Sequence, residues 1–295
     1  MSTLHEPVMV PEVVALLDPS RGGLFVDCTV GLGGHSRALL DAGASSVLGF
    51  DRDESALALS ADRLSAFGDR VQLVHADYRE LERVLDARGI AGMSGALADL
   101  GVSSMQLDGE GRGFSFRRDE PLDMRMDRSR GPSAADLVRD ADETELADVI
   151  FKFGEERYSR RIARAITGAR REAAIDTTGR LAVVVRRAIP HRGHQRIDPA
   201  TRTFQALRIW VNRELDGLDT FLESAARRLL AHARLAVITF HSLEDRIVKH
   251  TFRAMAQADA GLRILTKRPV TPSDEEVARN GRARSAKLRA IERFA

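Results

Sequence analysis

The sequence predicts an α/β protein whose core is a doubly wound, mostly parallel sheet with an all-helical insertion. Three observations support this prediction. A strand pattern runs into a glycine turn and a helix at residues 24–42. Strand and helix patterns then alternate as far as residue 99, at the spacing of βαβ units. Between residues 133 and 216 the hydrophobic spacing is helical, and strand patterns return afterwards.

The first strand and its turn organise the chain. After a predicted helix over residues 7–17, an apolar strand begins at residue 24 and is followed by Gly31, Gly33 and Gly34. Glycine permits positive φ and lets a ligand lie directly on the backbone. Ser36 is the expected N-cap of the next helix, and it occupies the third glycine position of the dinucleotide pattern. The turn therefore suits a nucleotide-like cofactor better than a pyrophosphate.

An acidic residue ends the second predicted strand, over residues 46–51. Asp51 follows the turn by about twenty residues, where doubly wound folds place the carboxylate that holds ribose hydroxyls. A carboxylate can accept from two vicinal hydroxyls at once. The turn and the acid together favour an adenosine without a demand for phosphate, which suits S-adenosylmethionine better than a nicotinamide cofactor.

The third and fourth strands, over residues 71–75 and 95–99, bring two more side chains to the same edge. Tyr78 and Asp99 join Asp51 at the carboxyl ends of parallel strands, where ligands bind in such sheets. Helices are predicted between the strands at 54–67 and 79–87. The first of them is expected to bury Ala56, Leu57, Leu59 and Leu64.

The alternation stops at residues 109–131, which are rich in Gly, Arg and Asp and predict an irregular loop near the site. The elements expected after it are helices at 134–139, 143–153, 156–169, 180–188, 199–216 and 221–231, a strand at 234–240, a helix reaching 256, a weaker strand at 264–266 and a basic, partly ordered end at 282–293. We therefore expect a core in two parts, 1–108 and 216–295, around a helical insertion at 109–215.

Charge is segregated along the chain. The balance is −12 over residues 1–150, +10 over 151–213 and +5 over 262–295. Such segregation favours a polyanionic partner at the middle and the end of the chain, with nucleic acid the leading candidate. An arginine-rich helix face that is merely solvated would give a similar pattern. The first part of the chain is expected to hold the cofactor, and the basic insertion to recognise the nucleic acid.

Composition restricts the location of the protein. The chain shows no signal peptide pattern and no apolar run of the roughly 20 residues that span a bilayer. Cys28 is the single cysteine, which excludes an intrachain disulfide and fits a reducing compartment. We expect a cytoplasmic protein without a membrane partner.

Long motifs are distributed along nearly the whole chain, at 5–9, 27–36, 99–108, 112–116, 122–127, 153–161, 202–214, 240–249 and 280–289. In these segments the sequence resembles the RsmH family, also called MraW, the bacterial 16S ribosomal RNA N4-cytosine methyltransferases. The resemblance implies a Rossmann-like class I methyltransferase core that uses S-adenosylmethionine, and a cytidine of the decoding region of the small subunit as target. It also implies the cofactor contacts Gly33, Gly34, His35, Asp51, Tyr78, Asp99 and Gln106.

Two departures from the family pattern are visible. Tyr78 stands where the family commonly has Phe, which still provides a ring to stack on adenine. Residues 231–234 replace a turn that usually contains glycine, which leaves the shape of that loop open.

Methylation of an exocyclic amine needs in-line attack on the sulfonium methyl and acceptors for the amino protons. A C5-cytosine enzyme would need a nucleophilic cysteine, and Cys28 lies inside the first strand. The segment after the fourth strand holds Asp99 or a backbone carbonyl, with Ser103 and Ser104 nearby, as the candidates that orient the amine.

The segment after the resumed strand would line the base pocket. Phe240 is expected to stack on the cytosine, and His241 or Ser242 to read its edge, although Ser242 fits an N-cap almost equally well. His191 and His194 have the spacing of metal ligands, but no further ligands complete a set, so no metal is expected.

Three other classes remain open. They are a methyltransferase acting on a small molecule or a protein, a cofactor-binding module without catalysis, and an NAD-dependent oxidoreductase. The basic insertion argues against the first, the intact turn and Asp51 against the second, and Ser36 against the third. The sequence leaves both a monomer and a homodimer open.

Overall fold

A computed structural model describes residues 7–103, 106–107, 109–190 and 198–294. The chain divides into two compact units. The first consists of Met1–Gly101 and Gly217–Ala295, and the second of Val102–Asp216. The helical insertion predicted at 109–215 lies within the second unit.

The elements follow one another in chain order. The helices are Val10–Leu17 (α1), Gly34–Asp41 (α2), Glu54–Leu64 (α3), Leu81–Ala87 (α4), Ala134–Asp140 (α5), Glu143–Gly154 (α6), Ser159–Glu172 (α7), Thr178–Ala188 (α8), Ala200–Asn212 (α9), Leu218–Arg227 (α10), Ser242–Ala258 (α11) and Asp274–Arg279 (α12). The strands are Leu24–Asp27 (β1), Ser46–Asp51 (β2), Val71–His75 (β3), Met93–Asp99 (β4), Leu229–Thr239 (β5), Leu262–Ile264 (β6) and Lys287–Arg293 (β7).

The strands of the first unit form one sheet in the order β3-β2-β1-β4-β5-β7-β6. Strands β1 to β5 pair in parallel, and β7 runs antiparallel to both of its neighbours. Adjacent residues such as Phe25 and Val26 fall in different buried clusters, as the alternation of side chains along a strand requires. Helices therefore cover the sheet on both faces, and the predicted doubly wound architecture is confirmed.

Two predictions about the helices of this unit are wrong. Leu59 is 43% exposed, because the buried stripe of α3 runs through Ala56, Leu57, Ser60 and Leu64 and bypasses it. The helix expected at 221–231 ends at Arg227, since the next residues already belong to β5 and pair with β4 through an irregular register.

The carboxyl-terminal end is an inner strand rather than a partly ordered tail. Leu288, Ala290 and Ile291 of β7 are fully buried. Arg289 is buried with them, and its Nε donates to Oδ1 of Asp245 on α11 over 2.6 Å. Burial opposes ionisation of Asp245, but Arg289 and Lys287 outweigh it and lower the pKa of that carboxyl. These basic side chains of β7 therefore serve the fold of the first unit.

The second unit is built on its own apolar core, which α5 to α9 share. The irregular segment at 109–131 is ordered by side chains of these helices. Asn212 donates from Nδ2 to the carbonyl of Met124 over 2.7 Å and accepts the N–H of Met126 over 2.8 Å. In the first half of that segment, the carbonyl of Arg118 accepts a hydrogen bond from Oγ1 of Thr178 over 2.9 Å.

Within the described residues, no helix combines the length and the apolar composition that crossing a membrane requires.

Candidate functional site

The glycine turn after β1 leads directly into α2. Gly33 is the N-cap with a φ of 79°, and no side chain caps the helix. The positive φ confirms the predicted need for glycine at this position. The expectation that Ser36 is the N-cap is wrong, because α2 begins two residues before it. Ser36 is fully buried, and its hydroxyl donates to Oδ2 of Asp27 over 2.7 Å, which ties α2 to β1.

The other two glycines of the turn differ in their surroundings. A Cβ at Gly34 would lie 2.7 Å from Cγ of Pro7, so a side chain here would clash with the amino-terminal segment. A Cβ at Gly31, where φ is 52°, would meet nothing within 4 Å. Open space therefore lies beside the backbone of Gly31.

Asp51 at the end of β2 is held against this turn. Its Oδ2 accepts the N–H of Gly31 over 2.7 Å, and its Oδ1 accepts the N–H of Asp53 over 2.8 Å. Burial raises the pKa of Asp51 to about 6, although these two backbone hydrogen bonds lower it. A carboxylate has about four acceptor positions, so Asp51 can still accept hydroxyl groups.

Asp99 at the end of β4 lies beside His35 of α2. The backbone N–H of Asp99 donates to Oγ1 of Thr29 over 2.6 Å, which fixes the strand end next to the turn. The carboxylate Oδ2 lies 3.5 Å from Nε2 of His35. In the described part of the chain, Oδ1 of Asp99 and both ring nitrogens of His35 are buried without a hydrogen-bond partner. Buried polar atoms without a partner are rare in proteins, and a bound ligand can supply the missing partner.

Tyr78 follows β3 and opens a short 3₁₀ turn, which Asp77 caps through a capping box with Glu80. The Tyr78 ring packs against Phe221 of α10, with 4.6 Å between the ring centroids. Burial raises the pKa of its hydroxyl. Tyr78 is thus fixed at the carboxyl edge of the sheet, and its role in stacking on adenine stays a prediction.

The turn after β5 is closed by its own side chains. His241 is the N-cap of α11 and forms a capping box with Glu244, so the alternative in which Ser242 is the N-cap is wrong. Oε1 of Glu244 lies 3.0 Å from Nε2 of His241, and Oε2 accepts the N–H of Phe240 over 2.9 Å. The Phe240 ring packs on Gly101, where a Cβ would lie 2.9 Å from it. His241 is therefore engaged locally, while Ser242 is exposed.

Two further candidates belong to the second unit. The N–H of Ser103 donates to Oε1 of Gln106 over 3.0 Å, and the N–H of Gln106 donates back to Oγ of Ser103 over 3.3 Å. Their proposed roles toward the cofactor and the amine stay predictions. Ser104, His191 and His194 lie outside the described residues.

Sequence reasoning missed two carboxylates near the turn. Asp27 at the end of β1 is fully buried, and it could have been found by the rule that identified Asp51 and Asp99. Glu276 of α12 acts on His35 electrostatically, and its Oε1 accepts the N–H of Met9 over 2.7 Å. No sequence signal connects Glu276 with a turn more than two hundred residues before it.

The residues around the turn fit an adenosyl cofactor. Asp51 offers acceptors for hydroxyls, open space lies beside Gly31, and Asp99 presents an oxygen without a partner in the described chain. Together with the sheet order, these features define the first unit as the Rossmann-like core of a class I S-adenosylmethionine-dependent methyltransferase. Residues 2–294 match the model of the MraW methylase family, and the chain belongs to that family.

Relatives match over nearly the full length of both proteins. The chain is 52% identical to the ribosomal RNA small subunit methyltransferase H of Rhodopseudomonas palustris, over 98% of this chain and 90% of that one. It is 51% identical to the protein of the same name from Sorangium cellulosum, with the same coverage. A solved rRNA methylase from Streptococcus thermophilus is a more distant likeness, with a TM-score of 0.43 and 13% identity over 97% of both chains.

Proposed function

We propose that this protein transfers a methyl group from S-adenosylmethionine to the exocyclic N4 of a cytidine in 16S ribosomal RNA. The observation that carries the proposal is the length of chain over which the sequence identity extends. It extends over 98% of the chain, and so over both units, to proteins named ribosomal RNA small subunit methyltransferase H. The choice of N4 and of a decoding-region cytidine follows from the family resemblance.

The cofactor would be held by the first unit. Asp51 would accept the ribose hydroxyls, and the turn at Gly33, Gly34 and His35 would accommodate the methionine part. Tyr78 would contact the adenine. The role of Gln106 as a cofactor contact rests on the family resemblance alone. When bound, S-adenosylmethionine supplies an electrophilic methyl group on a sulfonium sulfur.

In the reaction the N4 nitrogen forms a bond to the methyl carbon while the carbon–sulfur bond breaks, which leaves S-adenosylhomocysteine. No covalent enzyme intermediate is needed, in accord with the burial of Cys28. Asp99 or a neighbouring carbonyl would accept a hydrogen bond from the amino group as N4 becomes tetrahedral, with Ser103 and Ser104 close in sequence, and the proton that N4 loses would pass to Asp99 or to solvent. Phe240 would stack on the base, and His241 and Ser242 would line its edge.

The RNA would be positioned by the second unit. Arginines at 157, 160, 161, 164 and 171 are all exposed. They share one face of the α7 region, opposite the buried Ile162, Ala163 and Ile166. Arg164 pairs with Glu143, whereas Arg160, Arg161 and Arg171 have no ion pair among the described residues. A row of unpaired guanidinium groups can contact phosphates without reading sequence.

Nucleoside mass spectrometry tests the proposal. Ribosomal RNA, either free or in small subunits, is taken from cells that lack the gene and incubated with the protein and labelled S-adenosylmethionine. We expect N4-methylcytidine at one site. Methylation at C5, or of protein or transfer RNA instead, would overturn it. Comparing free RNA with assembled subunits identifies the substrate form.

The arginine face has its own test. Changing Arg160, Arg161 and Arg171 to Ala should weaken RNA binding about tenfold or more at low salt. The slope of log affinity against log salt concentration should fall by the amount that two to three phosphate contacts contribute. Affinity for S-adenosylhomocysteine should not change. The matched control changes the exposed Arg37, Arg63 and Arg83 of the first unit to Ala. Equal losses in the two triple variants would contradict an RNA role for this face.

The remaining assignments rest on this function. A ribosomal RNA substrate and a lone, buried, reduced cysteine favour the cytoplasm. Sedimentation of the purified chain would distinguish a monomer from a homodimer.

A further inference from the structure

A buried cluster of charged groups surrounds His35, and it reaches beyond the residues that would touch the cofactor. Each of its members comes from a different element: Asp27 from β1, His35 from α2, Asp99 from β4 and Glu276 from α12. The side chains of His35 and Asp99 are 6% and 23% exposed, and Asp27 is fully buried. The cluster thus gathers three carboxylates around one imidazole.

Two of the carboxylates already have other partners. Asp27 accepts the N–H of Thr29 and the hydroxyl of Ser36. Glu276 accepts the N–H of Met9, a buried residue with a φ of 57°. Asp99 differs from both, because its carboxylate faces Nε2 of His35 through Oδ2 and has no described partner on Oδ1.

The electrostatics favour the protonated ring. Burial by itself would lower the pKa of His35, but Asp99, Asp27 and Glu276 outweigh it and raise that pKa. Burial raises the pKa of Asp27, while His35, Ser36 and Thr29 pull it down. A protonated ring among three carboxylates offsets their mutual repulsion.

We propose that His35 is a positioning residue that acts through Asp99. Its ring holds Oδ2 of Asp99 and so turns Oδ1 toward a hydrogen-bond donor of the bound cofactor. The separation of 3.5 Å between Nε2 and Oδ2 is long for a hydrogen bond, and it would shorten when the ligand binds. This inference rests on the proposed function and on the cofactor contact that the family resemblance assigns to Asp99.

A double-mutant cycle on S-adenosylhomocysteine affinity, measured by calorimetry, tests the inference. His35→Leu removes the donor and should weaken binding about tenfold or more, whereas His35→Gln keeps an N–H and should stay within about threefold of the parent. Asp99→Asn should weaken binding at least as much as His35→Leu. The combined variant should lose no more than Asp99→Asn alone, because His35 then has nothing left to position. His250→Leu, at an exposed position of α11, is the matched control.

The outcomes separate the two claims. Additive losses in the cycle, or His35→Leu at the affinity of the parent, would overturn the positioning role while leaving the Asp99 contact in place. Asp99→Asn at the affinity of the parent would overturn the Asp99 contact itself.

Histidine-selective NMR keeps the inference testable if His35→Leu fails to fold. The His35 ring should titrate above its ordinary value of about 6.5 in the parent and move back toward it in Asp99→Asn. A titration that Asp99→Asn leaves unchanged would contradict the coupling between the two side chains.

Discussion

Two turns at the same edge of the sheet connect a parallel strand to a helix, and they are built in opposite ways. The turn between β1 and α2 has a glycine N-cap and no capping side chain. The turn between β5 and α11 is filled by its own residues, with Glu244 bound to the backbone of Phe240 and close to the ring of His241. Among the residues that the structure describes, no side chain caps the first N–H groups of α2. In the second turn, side chains of the turn itself accept the N–H groups of Phe240, His241 and Glu244.

The difference indicates which turn is shaped for a ligand. A helix that leaves its first donors uncapped keeps a positive end available for a bound group. A capping box uses the same donors for stability, worth about 1 kcal/mol. We therefore expect changes at the first turn to alter cofactor affinity, and changes at the second turn to alter mainly the free energy of unfolding.

The largest effect is expected from Asp51→Asn. The variant removes the charge that would accept the ribose hydroxyls, and two charge-assisted hydrogen bonds of about 1.5 kcal/mol each correspond to about a hundredfold loss of affinity. Calorimetry with S-adenosylhomocysteine measures it. The exposed Asp69→Asn is the control. An Asp51 variant that binds as tightly as the parent would mean that the first turn is not the cofactor site.

Much of this first turn could be predicted from the sequence, because the signals are local. A strand, three glycines and an acid at the next strand end specify their own positions within thirty residues of one another. The local pattern misplaces the N-cap at Ser36, because serine both caps helices and packs against strands. Its buried bond to Asp27 depends on where α2 begins.

The carboxyl-terminal strand could not be predicted in the same way. Lys287, Arg289 and Arg293 make β7 look like a basic tail, and their partners Asp245 and Asp259 lie on α11 and just after it. Only the fold brings these charges together. For the same reason, Glu276 could not be associated with His35 from the sequence.

The second turn should respond to Glu244→Ala mainly in stability. The variant leaves the partly buried N–H of Phe240 without its acceptor and removes the partner of His241, so the free energy of unfolding should fall by about 2 kcal/mol. Denaturant titration measures the loss, and calorimetry should find unchanged affinity for S-adenosylhomocysteine. Glu244→Gln keeps the acceptor oxygen and should recover most of the stability. A large loss of affinity in both variants would remove the contrast between the turns.

The pH dependence of cofactor affinity should follow the ionisation of Asp51 at the first turn. Its pKa of about 6 lies in the range where the protein can be assayed. Hydroxyl donors favour the ionised carboxylate, so binding below pH 6 must displace a proton, and affinity should fall about tenfold for each further pH unit. Calorimetry between pH 7.5 and 5 measures this, and Asp51→Asn should remove the dependence. Affinity that rises toward pH 5 would contradict the assignment.

The same raised pKa has the opposite sign for folding. A carboxyl whose pKa is higher in the folded state than in the unfolded chain contributes stability at low pH and loses it as pH rises. For Asp51 this window runs from the ordinary value of 3.8 to about 6. As pH rises from 3.8 to about 6, the free energy of unfolding of Asp51→Asn should therefore increase relative to that of the parent. At neutral pH the same variant should bind the cofactor more weakly.

The smallest effect is expected from Gly31→Ala, which tests whether the cofactor lies against the backbone of the first turn. Its φ of 52° makes any side chain strained, by about 1 kcal/mol, and a Cβ there would meet no protein atom within 4 Å. Gly89 after α4 has a φ of 66° and is equally open, so Gly89→Ala should lose similar stability. If a ligand lies against the backbone of Gly31, Gly31→Ala alone should also weaken S-adenosylhomocysteine binding, by severalfold. Equal affinity in the two variants would place the cofactor away from this stretch of backbone, even if Asp51 still holds its ribose.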